Sequence, residues 1–338
     1  MRRDDAHCVA SACVARVFQI KAFILKLVLA ENHMKVYHNL KDYIPKNNGT
    51  HIALGFFDGV HSGHRAVIGS CVAEKGDRPC LVLTFRESPA KALGRPSPTL
   101  LSTNERKAEL LAQIGVDEVI FADFNAVKEL SPQAFVTEIL RDKLHAKKVY
   151  CGFNYHFGQG GSGDTELLKK LCAEQRIAVE VKNPVFRDGE PASSSLIRRC
   201  IADGRIEKAN TLLGYPYAIE GAIDSGNHIG SAMGFPTVNI PIGEGLTVPR
   251  YGVYASTIMI DGRRYKGATN IGVHPTVGAH DVPLCETFLL DFGGGDLYGK
   301  KATCELTAFV REEKCFSSMD ELSMQIKKDC ETIDNMSL

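Results

Sequence analysis

The 338-residue chain has no net charge, with Lys+Arg and Asp+Glu each numbering 40. No global field therefore steers it to nucleic acid or to an anionic membrane. Its eleven cysteines include no CxxC and no pairing with histidine at zinc-ligand spacing, and their number is odd. That pattern argues against a zinc site or a disulfide framework and for reduced thiols in the cytoplasm. No hydrophobic run approaches the roughly 20 residues of a membrane span. The most apolar stretch, Val17 to Ala30, is broken by Lys21 and Lys26. There is no GxxxxGK[ST], so a kinase here cannot use a P-loop. There is also no internal repeat and no low-complexity tract. What remains, 24% charged and 44% hydrophobic, is an ordinary globular composition with length enough for two domains.

The most informative stretch is Gly55-Phe56-Phe57-Asp58-Gly59-Val60-His61-Ser62-Gly63-His64, which follows the apolar run Ile52-Ala53-Leu54 and opens onto a helical segment. Backbone N–H groups and the dipole at a helix N-terminus favour an anion, and glycines let the backbone approach it. Imidazoles donate hydrogen bonds to phosphate oxygens and so suit a reaction that builds negative charge on phosphorus. The bland alternative is a Gly-Asp-Gly surface turn with solvated histidines. Two histidines sharing one turn with Asp58 weigh against it.

From Met34 to about Val185 short apolar strands alternate with helices. Strands are expected over His51–Phe57, Pro79–Phe85, Asp117–Phe121, Lys147–Phe153 and Ile177–Val181, with helices over His64–Lys75, Glu105–Ile114, Pro132–His145 and Thr165–Arg176. Ser102 with Glu105 reads as a capping box, and Ser131-Pro132 as an N-cap followed by proline. This alternation predicts an α/β fold with a doubly wound parallel sheet, whose ligands bind at the carboxyl ends of its strands. Ser194–Ala202 and Ile206–Leu213 read as linker helices ending at Gly214. Beyond them the period changes to that of strands, over Tyr217–Ile223, Gly252–Ile260, Arg263–Thr269, Glu286–Phe292 and Lys301–Arg311. Asp261-Gly262 signals a type I′ hairpin. A compact antiparallel β-barrel closed by a helix from Ser318 to about Thr332 is expected.

The first motif resembles GxFDGxHxGH, the signature of the FMN-adenylyltransferase half of bacterial bifunctional riboflavin kinase/FAD synthetases. Ser193-Ser194-Ser195-Leu196-Ile197-Arg198, Gly234-Phe235-Pro236-Thr237-Val238-Asn239 and Glu286-Thr287-Phe288-Leu289-Leu290-Asp291-Phe292 resemble that family's SSTxIR, GFPTxN and ETHLLDF segments, in the family's order. The resemblance runs from about Met34 to the C-terminus. It implies an adenylyltransferase domain over 34–185, a helical linker over 186–215 and a riboflavin kinase domain over 216–338. Chains of this family usually begin near Met34-Lys35-Val36-Tyr37, so residues 1–33 are expected to be an extension without chemistry. A basic amphipathic or transit-like segment is the other reading of them.

The resemblance also implies roles. His61 and His64 grip the phosphates of ATP, with Gly55, Phe57, Asp58, Gly59 and Gly63 shaping the turn; Asp58 orders it or reaches a cation. Ser193, Ser194 and Arg198 form a second phosphate clamp, the bland alternative being an N-capped surface helix. Asn154, in Gly152-Phe153-Asn154-Tyr155-His156-Phe157-Gly158, contacts adenine, ribose or flavin. In the second module Gly230, Gly234 and Pro236 shape a phosphate loop. Thr237 and Asn239, two apart on a strand, share a face and suit Mg²⁺ bridging ATP phosphates; a solvated edge strand is the alternative. Glu286 begins a strand with Phe288 and Leu290 on its face, where a carboxylate is costly unless used or paired. The family's role for it is general base on the ribityl hydroxyl, and the alternative is a rim pair with a lysine such as Lys266. Asn270 is expected to line the flavin site.

Four departures stand out. The family's FRFG arginine is His156, its downstream GR has Gly161, and its TFDPHP loop is Thr84-Phe85-Arg86-Glu87-Ser88-Pro89. The arginine after Gly230 is Ser231. The leading expectation is a cytoplasmic enzyme using ATP, Mg²⁺, riboflavin and FMN, with no nucleic-acid or membrane partner. A kinase with a degenerate first module and a non-enzymatic flavin-binding regulator are the rivals.

Overall fold

A computed structural model describes residues 34–224, 237–273 and 282–336. These fall into two compact units. The first comprises 34–56, Val67–Ala92 and Ala108–Lys182; the second comprises Phe57–Ala66, Leu93–Lys107 and the described residues of Asn183–Leu338.

The first unit is built on six parallel strands: β1 (Lys35–Tyr37), β2 (Thr50–Leu54), β3 (Cys80–Phe85), β4 (Glu118–Ala122), β5 (Ala146–Gly152) and β6 (Ala178–Lys182). Their order is β1-β4-β3-β2-β5-β6. All residues of β2 and β4 are buried, as a parallel sheet covered on both faces requires. Ile52, Leu54, Leu81, Leu83, Ile120 and Val149 form its core with Val136 and Leu140. β2 ends three residues before the expected Phe57 because the chain turns at Gly55. β1, an edge strand of three residues, has too few positions to show a pattern. Helix α1 (Ser62–Glu74) follows β2, α2 (Asn104–Ile114) precedes β4, and α3 (Thr165–Glu174) precedes β6.

Two local readings shift. The Ser131 hydroxyl caps its helix as expected, accepting from the N–H of Ala134 at 3.1 Å. From Phe135 to Lys143, however, the winding is π. Phe135, Val136, Ile139 and Leu140 are buried in this winding as they would be in an α-helix, so the apolar pattern cannot tell the two apart. Ahead of α2, the N–H of Arg106 is accepted by Thr103 Oγ1 at 3.0 Å, so the cap is Thr103 and not the expected Ser102.

The second unit carries the small hairpin β7 (Phe186–Arg187) and β8 (Glu190–Pro191), helices α4 (Ser194–Ala202) and α5 (Ile206–Leu213), and a second sheet. Its strands are β9 (Tyr217–Ala222), β10 (Thr237–Pro241), β11 (Gly252–Ile260), β12 (Arg263–Val273), β13 (Pro283–Leu289) and β14 (Lys301–Arg311). They are antiparallel in the order β10-β13-β12-β11-β14-β9. The sheet curls until its two end strands approach at one bridge, between Asp224 and Asn239. The β11–β12 hairpin closes on Asp261 and Gly262, whose φ of 48° and 76° are the left-handed pair a type I′ turn needs. Helix α6 (Met319–Asp334) is capped by Ser318 and fixed to β14 by the Arg311–Asp329 pair at 2.7 Å.

α4 and α5 are more than a spacer. Ile197, Ile201, Ile206, Leu212 and Leu213 lie in one core with Ile219, Val238, Ile258 and Leu289 of the sheet. Asn210 Nδ2 donates to the carbonyl of Leu306 at 2.9 Å, and its Oδ1 accepts from the N–H of Tyr217 at 2.7 Å. Each buried isoleucine contributes about 1.5–3 kcal/mol. A fragment beginning near Asn183 is therefore expected to melt cooperatively, and one beginning at Asn210, stripped of Ile197, Ile201 and Ile206, is not. Circular-dichroism melts of the two fragments check this; equal stability would mean that the helices contribute little.

Candidate active sites

The first motif forms a tight, strained turn. Phe57, Gly59 and Val60 have φ of 52°, 73° and 37°. For Phe57 and the β-branched Val60 this costs about 1–3 kcal/mol each, so surrounding contacts must hold the turn. Glycine is required at 59: a Cβ there would stand 2.8 Å from Leu101 Cδ1. The clamp is Asp58. One carboxylate oxygen accepts from the N–H of Leu101 at 2.9 Å and the other pairs with the Arg198 guanidinium at 2.6 Å. Ser194 Oγ donates to the Asp58 carbonyl at 3.2 Å, and the Tyr215 hydroxyl donates to the Gly59 carbonyl.

His61 and His64 stack with ring centroids 3.6 Å apart. The N–H of Gly63 donates to His61 Nδ1 at 3.1 Å. That hydrogen bond leaves the proton of the neutral ring on Nε2, where it can be donated outward. Burial and then the Arg198 charge push His61 down to about 4. Burial, His61 and Lys107 hold His64 well below its ordinary value. Both rings are thus neutral at pH 7, and His64 Nδ1 is buried without a hydrogen-bond partner. α4 opens beside the turn: its N-cap Ser193 accepts from the N–H of Leu196 at 3.3 Å.

The second unit so gathers Phe57, Asp58, Gly59, His61, Gly63, His64, Ser193, Ser194 and Arg198 from two distant stretches of chain. Arg198, expected on phosphate, here engages Asp58 and the Thr99 carbonyl. Sequence reasoning missed Lys107, which is 2% exposed, with burial pushing its ammonium down to about 8 against the opposing pull of Asp58. A lysine in a capped helix reads as a solvated one, and only its position one turn past Thr103 hinted otherwise.

In the first unit Gly55 closes β2, its N–H donating to the Leu83 carbonyl at 3.3 Å. Asn154 lies exposed on the loop that follows β5, beside the exposed Phe153 and His156. The altered Thr84–Pro89 loop is ordered: Thr84 Oγ1 donates to the Phe56 carbonyl at 2.8 Å and the N–H of Arg86 to the Ala122 carbonyl at 3.1 Å.

A second constellation lies on the antiparallel sheet. Glu286 stands opposite Asn239 of β10 on one side and Asn270 of β12 on the other. Thr237, two residues along, faces Phe288. Directly paired residues of antiparallel strands present side chains on one face about 4.5–5.5 Å apart at Cβ, so Thr237, Asn239, Glu286 and Asn270 share a face. It is the face opposite Cys285, Thr287 and Leu289, which point into the core. β13 begins at Pro283, three residues before the expected start, and ends before Leu290. The Lys266 ammonium goes to the Asp334 carbonyl at 2.9 Å. Glu313, which no motif announced, places its carboxylate over Gly272, where any Cβ would collide with it and would lie 3.3 Å from Asn270 Nδ2. Gly230, Gly234 and Pro236 lie outside the described residues, as do 1–33.

Comparison with known proteins gives two family matches in chain order. Residues 43–196 match the FAD synthetase model and residues 213–337 the riboflavin kinase model. The chain is 38% identical to the bifunctional riboflavin kinase/FMN adenylyltransferase of Listeria monocytogenes, covering 82% of this chain and 89% of that one. It is 34% identical to the protein of the same description from Escherichia coli strain K12, covering 86% and 93%. A solved structure described as the macrolide-efflux protein of Streptococcus pneumoniae superposes with a TM-score of 0.80 at 29% identity, covering 90% of this chain and 99% of its own. Among the described residues no helix is long and apolar enough to cross a membrane. With both family matches in order and this identity over most of its length, the chain belongs to the bifunctional riboflavin kinase/FMN adenylyltransferase family.

Proposed function

We propose that this chain makes both flavin cofactors, phosphorylating riboflavin to FMN and then joining AMP to FMN to give FAD and pyrophosphate. The observation that carries the reading is the row Asn239–Glu286–Asn270, with Thr237 beside it. A carboxylate flanked by two amides on one face is suited to take the proton of a hydroxyl that attacks a phosphate. Thr237 and Asn239 offer hard, uncharged oxygens on that face, which fit Mg²⁺, a cation that takes few protein ligands and shares phosphate oxygens. When bound, the cation neutralises phosphate charge. Glu286 accepts the ribityl 5′-hydroxyl proton, and Asn270 orients the flavin. Gly230, Gly234 and Pro236 complete the phosphate loop on the family's pattern.

The adenylyl step needs the FMN phosphate to attack the α-phosphorus of ATP while pyrophosphate leaves. No covalent intermediate is required, so positioning and charge stabilisation carry it. Two neutral imidazoles at the start of α1 donate to phosphate oxygens, with the dipole of the helix adding to them. Ser193 and the N–H groups of Arg198 not used on Asp58 and Thr99 supply further donors, Ser194 and Arg198 hold Asp58 in place, and Asn154 offers a flavin or nucleotide contact. The domains we propose are 34–185 for the adenylyl step and 216–338 for the kinase step, with 186–215 between them carrying Ser193, Ser194 and Arg198. Residues 1–33 take no part, and the balanced charge and free cysteines support a cytoplasmic enzyme without nucleic-acid or membrane partners.

Incubating the purified protein with ATP, Mg²⁺ and either riboflavin or FMN, then separating the flavins, tests both halves. FMN from the first substrate and FAD from the second are expected. FMN without FAD would mean a degenerate first module, with Arg86–Ser88, His156 and Gly161 as its cause.

A further inference from the structure

The turn that carries His61 and His64 is held, within the second unit, from an unexpected direction. Asp58 keeps the turn in its strained shape through Leu101 N–H and Arg198. Both of these partners lean on the segment Thr99–Leu101: Leu101 belongs to it, and Arg198 Nε donates to the Thr99 carbonyl. This segment is in turn paired, strand-like, with the loop just beyond β10. The N–H of Leu100 donates to the Gly245 carbonyl at 2.7 Å, and the N–H of Thr247 to the Leu100 carbonyl at 2.8 Å. Thr247 Oγ1 meets Thr99 Oγ1 at 2.9 Å and reaches the Leu100 carbonyl at 3.0 Å. Thr247 is 4% exposed, and its own carbonyl accepts from the Tyr217 hydroxyl at 2.6 Å. Five residues past Leu101, Arg106 lies between Glu220 of β9 and Glu305 of β14, at 3.5 and 3.7 Å.

From this chain of contacts we infer that Thr247, a residue of the riboflavin kinase module, is a positioning residue for the adenylyl step. It acts through Thr99 and Leu100 on Asp58, and through Asp58 on the histidine turn. The inference rests on the reading that this turn grips the ATP phosphates. The physical reason is leverage. A turn with three left-handed residues in four has no local reason to keep its shape, and a misplacement of about 1 Å at reacting groups can cost 10²-fold. Among the described residues Thr247 hydrogen-bonds none of Thr237, Asn239, Asn270 and Glu286, so the kinase step is expected to be indifferent to its hydroxyl.

The test uses the full-length protein. Thr247→Val removes the hydroxyl at nearly constant volume, and Thr247→Ser restores it. FAD formation from FMN is expected to fall about tenfold in kcat in the valine variant, to recover in the serine variant, and to be matched by FMN formation within twofold of wild type. Thr99→Val, at the exposed partner, should lower FAD formation in the same direction, and the double variant should be no worse than Thr247→Val alone. Should Thr247→Val fail to fold, Thr99→Val carries the test. FAD formation unchanged in these variants, or FAD and FMN formation falling together, overturns the inference. A wild-type protein that makes no FAD overturns both the inference and the reading beneath it; a wild type that makes FAD beside an unaffected Thr247→Val overturns the inference alone.

Discussion

Glu286→Gln is expected to lower FMN formation by about 10²–10⁴-fold while riboflavin still binds, the range for losing a general base. Glutamine keeps the length and the planar end of glutamate, so the pairing with Asn239 and Asn270 survives. What is lost is the capacity to accept the proton of the ribityl hydroxyl as it attacks the γ-phosphate. Turnover at saturating ATP and Mg²⁺ measures the first effect, and quenching of riboflavin fluorescence the second. The competing reading, a rim glutamate paired with Lys266, predicts a modest change in stability and near-normal turnover. Lys266 is committed to the Asp334 carbonyl at 2.9 Å, which already disfavours it. A Glu286→Gln enzyme that turns over normally would remove Glu286 from the mechanism.

Replacing both His61 and His64 with alanine is expected to abolish measurable FAD formation and to leave FMN formation within about twofold. A preorganised donor to developing charge is worth about 2.7–4 kcal/mol, or roughly 10²–10³ in rate, so two donors make a loss too large to mistake. Both rings are neutral, His61 buried and His64 partly so, and His61 presents its Nε2 proton because Gly63 occupies Nδ1. The role we propose for them is thus donation from neutral imidazoles rather than attraction by imidazolium. The kinase step is expected to be spared because the described groups proposed for it lie on β10, β12 and β13. Since the stacked pair also fills space, a melting curve accompanies the assay: a folded double variant that still makes FAD would sink the assignment.

Much of this was legible in the chain. Near-continuous apolar strands between capped helices specified a parallel sheet, since only strands covered on both faces have that composition. Asp261-Gly262 specified its hairpin, because both residues must adopt positive φ. Ser131, Ser193 and Ser318 announced three helix starts through one side-chain hydrogen bond each. The motif residues were found too, since their types and spacings are themselves local.

Local signals say nothing about which faces meet, and that was left to the tertiary structure. Thr237, Asn239, Asn270 and Glu286 became one constellation only through the register of β10, β13 and β12, a choice made by burying Val238, Cys285 and Ile271 on the opposite side. Arg198, expected on phosphate, meets Asp58, 140 positions earlier in the chain. The two helices expected to be a linker lie in the core of the second unit because their isoleucines and leucines complete it. Lys107 is buried, although an isolated helix would leave it in water. Short-range propensities act over a turn or a strand, whereas packing joins segments a hundred residues apart, and the free energy of burial decides that pairing only when the whole chain is folded.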